Sequence, residues 1–294
     1  MDDEVRRRAL RLGRRTFGAD ELAVMAIINR TPDSFYDQGA TFGTEAALAA
    51  VDRAVQEGAD IVDIGGVKAG PGAEVDEAEE IRRIVPFVAT IRERHPSVVI
   101  SVDTWRAEVG RQAVSAGADL LNDAWAGADP ELAEVAAATG AGLVCSHSGG
   151  LAPRVRPHRP AYDDVVADVL ETVSGLADRA VALGVRPDGI LIDPAHDFGK
   201  NTRHSLELTR RLGELVATGW PVLVALSNKD FVGESLDLPV DARLPGTLAA
   251  TVVSAWLGAR VFRAHNVRAT RQALDMVATI RGDRQPAAVR RGLA

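Results

Sequence analysis

The chain has 294 residues, a hydrophobic fraction of 46% with only 4% aromatics, and a formal net charge of −7 at neutral pH. That length suits one large domain with a single core, and the aliphatic, aromatic-poor composition argues against a β-sandwich and for an α/β fold. The acidic balance excludes bulk attraction to nucleic acid or to an anionic membrane, so a small molecule is the expected partner.

Residues 1–21 read as an N-terminal basic arm carrying Arg6, Arg7, Arg8, Arg11, Arg14 and Arg15. No apolar run follows it, which argues against a secretory signal and for a solvated helix or frayed tail. Nowhere does an apolar run approach the ~20 residues that cross a bilayer. Cys145 is the only cysteine, so no intrachain disulfide can form, and a cytoplasmic location fits.

Residues 22–283 read as one unit, with 284–294 as a C-terminal tail. Eight short aliphatic runs bounded by Gly, Asp, Asn or Pro predict buried strands at 22–29, 60–65, 98–103, 119–122, 143–147, 190–193, 222–227 and 260–265. Their near-continuous apolar character is what strands covered on both faces require. Between them lie helix signals. Asp76 with Glu79 resembles a capping box, and Asp129 before Pro130 reads as an N-cap with proline at the first helical position. Gly-Ala-Asp at 58–60 and 117–119, and Gly-Ala-Arg at 258–260, close a helix and open a strand. The expected fold is a single TIM (β/α)8 barrel with parallel strands. An open doubly wound sheet is the competing architecture, but no Gly-x-Gly-x-x-Gly fingerprint follows any strand.

Asn29, Asp103, Asn122, Asp193, Lys229, Arg263 and His265 stand at or just past strand exits, where a barrel gathers its active site. Closure puts the eighth strand beside the first, so Arg263, His265 and Asn29 form a corner suited to an anion. Arginine offers a planar fork to phosphate oxygens, and the loops after the last two strands are the usual phosphate corner of this fold. Across the mouth, Asp103, Asn122, Asp193 and Lys229 can satisfy a flat nitrogen heterocycle. The two carboxylates are also readable as a general acid/base pair. Lys229 suits a hydrogen-bonding role better than a Schiff base, because it follows its strand rather than lying within it. His147 lacks a second ligand at zinc spacing and reads as a hydrogen-bonded core residue, as Cys145 reads as a small apolar one.

Asn-Arg-Thr-Pro-Asp-Ser-Phe at 29–35, Ser-Val-Asp-Thr at 101–104, Asn-Asp at 122–123, Asp-Pro at 193–194, Phe-Gly-Lys at 198–200 and Arg-x-His at 263–265 occur in that order. Together they resemble the dihydropteroate synthase family from about residue 22 to about residue 281. The resemblance implies a transferase that joins p-aminobenzoate to 6-hydroxymethyl-7,8-dihydropterin diphosphate and expels pyrophosphate. It implies pterin binding at Asp103, Asn122, Asp193 and Lys229. It also implies diphosphate binding at Asn29, Arg263 and His265, with Mg2+ held through Asn29. Lys229, Arg263 and His265 carry the catalytic assignment, and a cytoplasmic homodimer is the implied assembly.

Departures from the family pattern fall on the same face. The family's second loop reads Gly-Gly-Glu-Ser-Thr-Arg-Pro-Gly, whereas residues 65–72 are Gly-Gly-Val-Lys-Ala-Gly-Pro-Gly, so Ala69 and Gly70 replace a threonine and an arginine. Losing one transition-state donor costs about 10²–10³-fold in rate, and Lys68 is a point charge rather than a fork. Asp230 follows Lys229 where the family has serine, and His196 and Asp197 enter a Gly- and Phe-rich loop. Ser146 replaces a methionine before His147. Arg154, Arg156, His158 and Arg159 in the loop at 149–160 offer charge for another phosphorylated ligand. The expected protein resembles a divergent second actinobacterial copy with weak or no condensation activity. The alternatives are an active synthase served by Lys68 and a non-catalytic binder or regulator sensing a pterin or phosphorylated metabolite.

Overall fold

The computed structural model describes residues 9–31, 43–70, 72–155 and 161–291. The chain enters through an antiparallel hairpin of β1 (Leu10–Leu12) and β2 (Arg15–Phe17), with Leu10 opposite Phe17. Gly13 turns it at φ 55°, and a Cβ there would come within 2.1 Å of Asp119 Oδ1, so the position requires glycine. Leu10, Leu12 and Phe17 are buried against Met25, Ile61, Val99, Leu120, Val144, Leu191, Leu223 and Val261. This part of the basic arm is therefore neither a helix nor a frayed tail. Leu-Arg-Leu alternates with a strand's period of two, which turns the leucines inward while Arg11 stays exposed. Arg15 pairs with Asp60 at 2.5 Å and with Glu21 at 3.1 Å, anchoring the hairpin as a plug in one end of the barrel. Arg6, Arg7 and Arg8 lie outside the described residues.

Eight parallel strands follow. They are β3 (Ala23–Asn29), β4 (Ile61–Gly65), β5 (Val99–Asp103), β6 (Leu120–Asp123), β7 (Gly142–Ser146), β8 (Ile190–Asp193), β9 (Leu223–Ala225) and β10 (Val261–Ala264). They pair in the order β8-β7-β6-β5-β4-β3-β10-β9. An Ile192–Val222 bridge, beside the Ile192 N–H donating to the Pro221 carbonyl at 3.0 Å, joins β8 to β9 and closes the ring. The predicted barrel is thus the observed fold, with strand ends shifted by a residue or two.

The helices are α1 (Thr44–Gln56), α2 (Glu77–Arg94), α3 (Ala107–Ser115), α4 (Glu131–Thr139), α5 (Val165–Leu183), α6 (Thr202–Arg210), α7 (Leu212–Val216), α8 (Asp230–Leu236), α9 (Leu244–Trp256) and α10 (Val267–Arg281). Asp76 caps α2 by accepting the Glu79 N–H at 2.8 Å. The Glu79 carboxylate turns to Arg83 at 2.7 Å, so the cap is one-sided. Asp129 accepts from both Ala107 N–H at 2.8 Å and Glu131 N–H at 3.1 Å, fastening the starts of α3 and α4 together. Pro130 is then the cap of α4 rather than its first residue.

Two buried layers result. Val24, Ala26, Ile28, Val62, Ile64, Ile100 and Val102 face the helices. Their neighbours in sequence face the barrel axis, apolar at the plugged end in Met25, Ile61, Val99 and Val261. Toward the strand exits the same inward positions become Asp63, Ser101, Asp103, Asn29 and Arg263. The period of two that builds a strand thereby delivers polar groups to one mouth.

Candidate active site

Asn29, Asp103, Asn122, Asp193, Lys229, Arg263 and His265 all line one cavity of about 450 Å3 at the strand exits. Register explains the convergence. Asn29 lies opposite Gly65, Gly65 opposite Asp103, and Asp103 opposite Asn122, on three successive strand pairs. Gly65 leaves the space between Asn29 and Asp103 open. Ser146 lies opposite Asp193 on β7 and β8.

Asp63, which the sequence reading missed, organises the floor. Its fully buried carboxylate accepts from Ser101 Oγ at 2.5 Å, Asn122 Nδ2 at 3.2 Å and Arg263 Nε at 2.6 Å. Arg263 also donates through Nη2 to Asp103 Oδ2 at 2.9 Å. Its guanidinium is therefore committed to two carboxylates, whereas the sequence reading set it at the anion corner with Asn29 and His265. Burial works against that charge, yet Asp63 and Asp103 hold it above its ordinary pKa. The signal for Asp63 was present: a lone acid inside the apolar run Ile61–Gly65 must have a buried partner. Asn122, with its amide NH2 given to Asp63, has its oxygen left to offer as an acceptor.

Burial pushes Asp103 up to about 7, opposed first by Arg263. A carboxyl poised there can accept or donate a hydrogen bond at neutral pH. Asp193 is also raised by burial, opposed by Lys229, and its Oδ1 accepts the Ala195 N–H at 2.7 Å. Lys229 is lowered by burial, with Asp197 and then Asp193 as its main charge partners. Its Nζ donates to the His196 carbonyl and lies 5.0 Å from the Phe198 ring centre. His265 bonds Ser227 Oγ at 3.0 Å, and burial then Arg263 push it down to about 3. It meets a ligand as a neutral imidazole.

The loop from Pro194 to Lys200 forms the wall. Ala195, Asp197 and Gly199 all have φ in the left-handed region, so two side-chain-bearing residues sit where glycine is favoured. Lys200 anchors the loop by donating to the carbonyls of Ala195 at 3.1 Å and Phe198 at 2.8 Å. Its Nζ also meets His147 Nδ1 at 2.7 Å, and His147 Nε2 meets Asp168 Oδ1 at 2.7 Å. His147 is thus a buried hydrogen-bonded residue, as expected. Burial, then Lys200, lower its pKa to about 4, and burial, then Lys229, lower Lys200 to about 7. His196 turns away from the cavity, bonding Thr209 and stacking on Phe231.

The second loop lines the cavity with Val67, Lys68, Ala69 and Gly70. Arg83 donates to the Gly66 carbonyl at 3.0 Å and Arg154 to the Ala73 carbonyl at 2.9 Å, so the loop is tied at both ends. Arg154 is spent on that tie rather than set out for a ligand. Arg156, His158 and Arg159 lie outside the described residues, as do residues 32–35 of the opening loop.

Among the described residues no group of three or more His, Cys, Asp or Glu side chains could hold a metal ion. The donor set fits only a hard cation that brings most of its oxygens with it. Asn29 supplies one amide oxygen, as a Mg2+ carried on a phosphate ligand and water requires.

An enclosed parallel barrel with a heterocycle-sized cavity at its strand exits, polar at its floor, defines a small-molecule-binding α/β barrel. Residues 25–265 match the pterin binding enzyme family, and the chain belongs to that family. It is 60% identical over 284 residues to the Mycobacterium leprae protein named inactive dihydropteroate synthase 2, covering 95% of this chain and 98% of that one. Among solved structures it resembles Yersinia pestis dihydropteroate synthase in a sulfonamide drug complex, with a TM-score of 0.88 and 36% identity over 94% of this chain and 100% of that chain. The Xanthomonas albilineans dihydropteroate synthase with 4-aminobenzoic acid gives a TM-score of 0.84 at 36% identity, over 93% and 98%. The chain therefore has a dihydropteroate synthase-like pterin-binding fold and stands beside an inactive member of that group.

Proposed function

We propose that this protein binds 6-hydroxymethyl-7,8-dihydropterin diphosphate, with Mg2+ carried on the diphosphate at Asn29, and condenses it with p-aminobenzoate weakly or not at all. The heterocycle faces Asp103, Asn122, Asp193 and Lys229, and the diphosphate faces Asn29 and His265, with Arg263 bridging the two ends. Mg2+ supplies charge for the leaving pyrophosphate. The observation that carries this reading is the contrast within one cavity. Asp103, Asn122, Asp193 and Lys229 all line it, while the second loop brings Ala69 and Gly70 where the family pattern has threonine and arginine, with Val67 and Lys68 beside them.

Titration calorimetry with the pterin diphosphate and Mg2+, followed by p-aminobenzoate under a pyrophosphate assay, tests it. Binding of the first ligand without pyrophosphate release after the second is the expected result, and release at an ordinary synthase rate would refute it. Asp193→Ala removes a buried acceptor that faces the heterocycle. A ligand group deprived of a charged partner loses about 1.5–3 kcal/mol, so affinity is expected to fall about 10–100-fold, and unchanged affinity would refute the wall assignment.

We also propose that the protein is a cytoplasmic homodimer. No helix among the described residues is long and apolar enough to cross a membrane. The packed pair α9 and α10 leaves Trp256 58% and Ile280 61% exposed, with Val253 and Met276 nearby in sequence. Exposed apolar surface of this kind marks an interface, and a second copy is its expected occupant. Light scattering is expected to give twice the 31.2 kDa chain mass for the wild type and one chain mass for Trp256→Glu/Ile280→Glu.

A further inference from the structure

The cavity is polar at its floor and apolar toward its rim, where Val67, Ala69, Trp125, Leu151, Val155 and Phe198 face it. The rim charges are Lys68, Lys229, Asp197 and Asp230. Asp230 is drawn off to Arg243 at 2.9 Å. Asp197 is not. It holds a backbone φ of 66°, a conformation that glycine adopts at lower cost, so its side chain stays there against a local preference.

Three hydrogen bonds fix that side chain and its backbone. Oδ1 accepts from the buried Ser205 Oγ at 2.8 Å, Oδ2 accepts from the Phe231 N–H at 3.1 Å, and the Asp197 N–H donates to Ser205 Oγ at 3.1 Å. The carboxylate thus bridges the loop after β8 to the first turn of α8, on the residue that follows His196, whose carbonyl accepts from Lys229 Nζ. Asp197 is also the largest charge acting on Lys229. An anion arriving there would meet a fixed negative charge.

We infer that Asp197 is the specificity-determining residue of the outer cavity, a fixed negative charge that excludes an anionic arm and admits an aromatic amine carrying no negative charge. The inference rests on the reading of the inner cavity as the heterocycle site. It deepens that reading by adding, to the loss of the second-loop donors, a separate reason why a carboxylate co-ligand is refused.

The test compares two aryl amines of nearly equal size, 4-aminobenzoate and the uncharged 4-aminobenzamide. Each is titrated calorimetrically into the full chain, with and without saturating pterin diphosphate and Mg2+. Like charges brought together in a partly dry site are strongly unfavourable, so the wild type is expected to favour the amide by about tenfold or more. Asp197→Asn keeps a residue that tolerates the left-handed region, and Asp197→Gly relaxes it. Both are expected to abolish or invert the preference, with thermal unfolding checking that each is folded.

Equal affinity for both amines in the wild type overturns the inference, as does a preference unchanged in both variants or failure of all three proteins to take either compound. Charge discrimination that persists without any pterin binding would support Asp197 while refuting the inner-site reading. Pterin binding without discrimination would do the reverse.

Discussion

Replacing Ala69 with threonine and Gly70 with arginine is expected to raise pyrophosphate release by about 10²–10³-fold, the effect of one transition-state donor. The backbone is ready for the change. A Cβ added at Gly70 meets nothing within 4 Å, and the residue is not in the left-handed region, so arginine enters without strain. Arg83 and Arg154 already hold the loop ends at the Gly66 and Ala73 carbonyls. The new guanidinium would therefore project from a fixed loop over the cavity rather than from a free one. Gly70→Lys is the informative control, because a lysine supplies charge without the bidentate fork and should recover much less. The measurement is steady-state pyrophosphate release with both substrates present. If the double variant stays at the wild-type level while Asp197→Gly/Ala69→Thr/Gly70→Arg rises, the barrier lies with the second substrate. If neither rises, the damaged-lid explanation fails.

The eight strands were legible because each is covered on both faces and must be apolar along most of its length, and the seven cavity residues were legible because they punctuate those runs at the same end. Asp63 escaped notice, and Ser101 entered only as part of the Ser-Val-Asp-Thr motif, for a complementary reason. They lie one inward step below Asp103 and within apolar runs, so they read as interruptions instead of as the lower tier of the same polar cluster. The hairpin at Leu10–Phe17 was hidden by charge. Arginines dominate its composition, while its fold depends on Leu10, Leu12 and Phe17 alternating inward. Arg263 was placed correctly and read incompletely. Its position beside β3 follows from closure, but its commitment to Asp63 and Asp103 depends on which inward residues lie across the barrel axis, and that requires the stagger of the strands. Asp197 could be flagged in sequence as an acid where the family has glycine. Its contact with Phe231 joins two loops that only the closed ring brings together.

Arg263→Met is expected to destabilise the fold by about 3–5 kcal/mol, the cost of leaving a buried carboxylate without its cation. Asp63 is 0% exposed and would keep only Ser101 and Asn122 as partners, neither of which neutralises it. Asp103, already raised by burial, would also lose the neighbour that most opposes that rise, so it would be protonated further at neutral pH. For a carboxylate raised by burial, the sign is that of an uncharged group favoured in the folded state. The variant should therefore recover stability as pH falls and Asp103 takes up a proton, whereas the wild type gains less over the same range. Adding Asp63→Asn to Arg263→Met removes the stranded charge and should return part of the lost stability, giving a clear non-additive cycle. Urea unfolding of the wild type, the two single variants and the double variant measures it. Simple additivity of the two substitutions would show that Asp63 and Arg263 do not act as a pair. The floor of the cavity would then owe its order to packing alone.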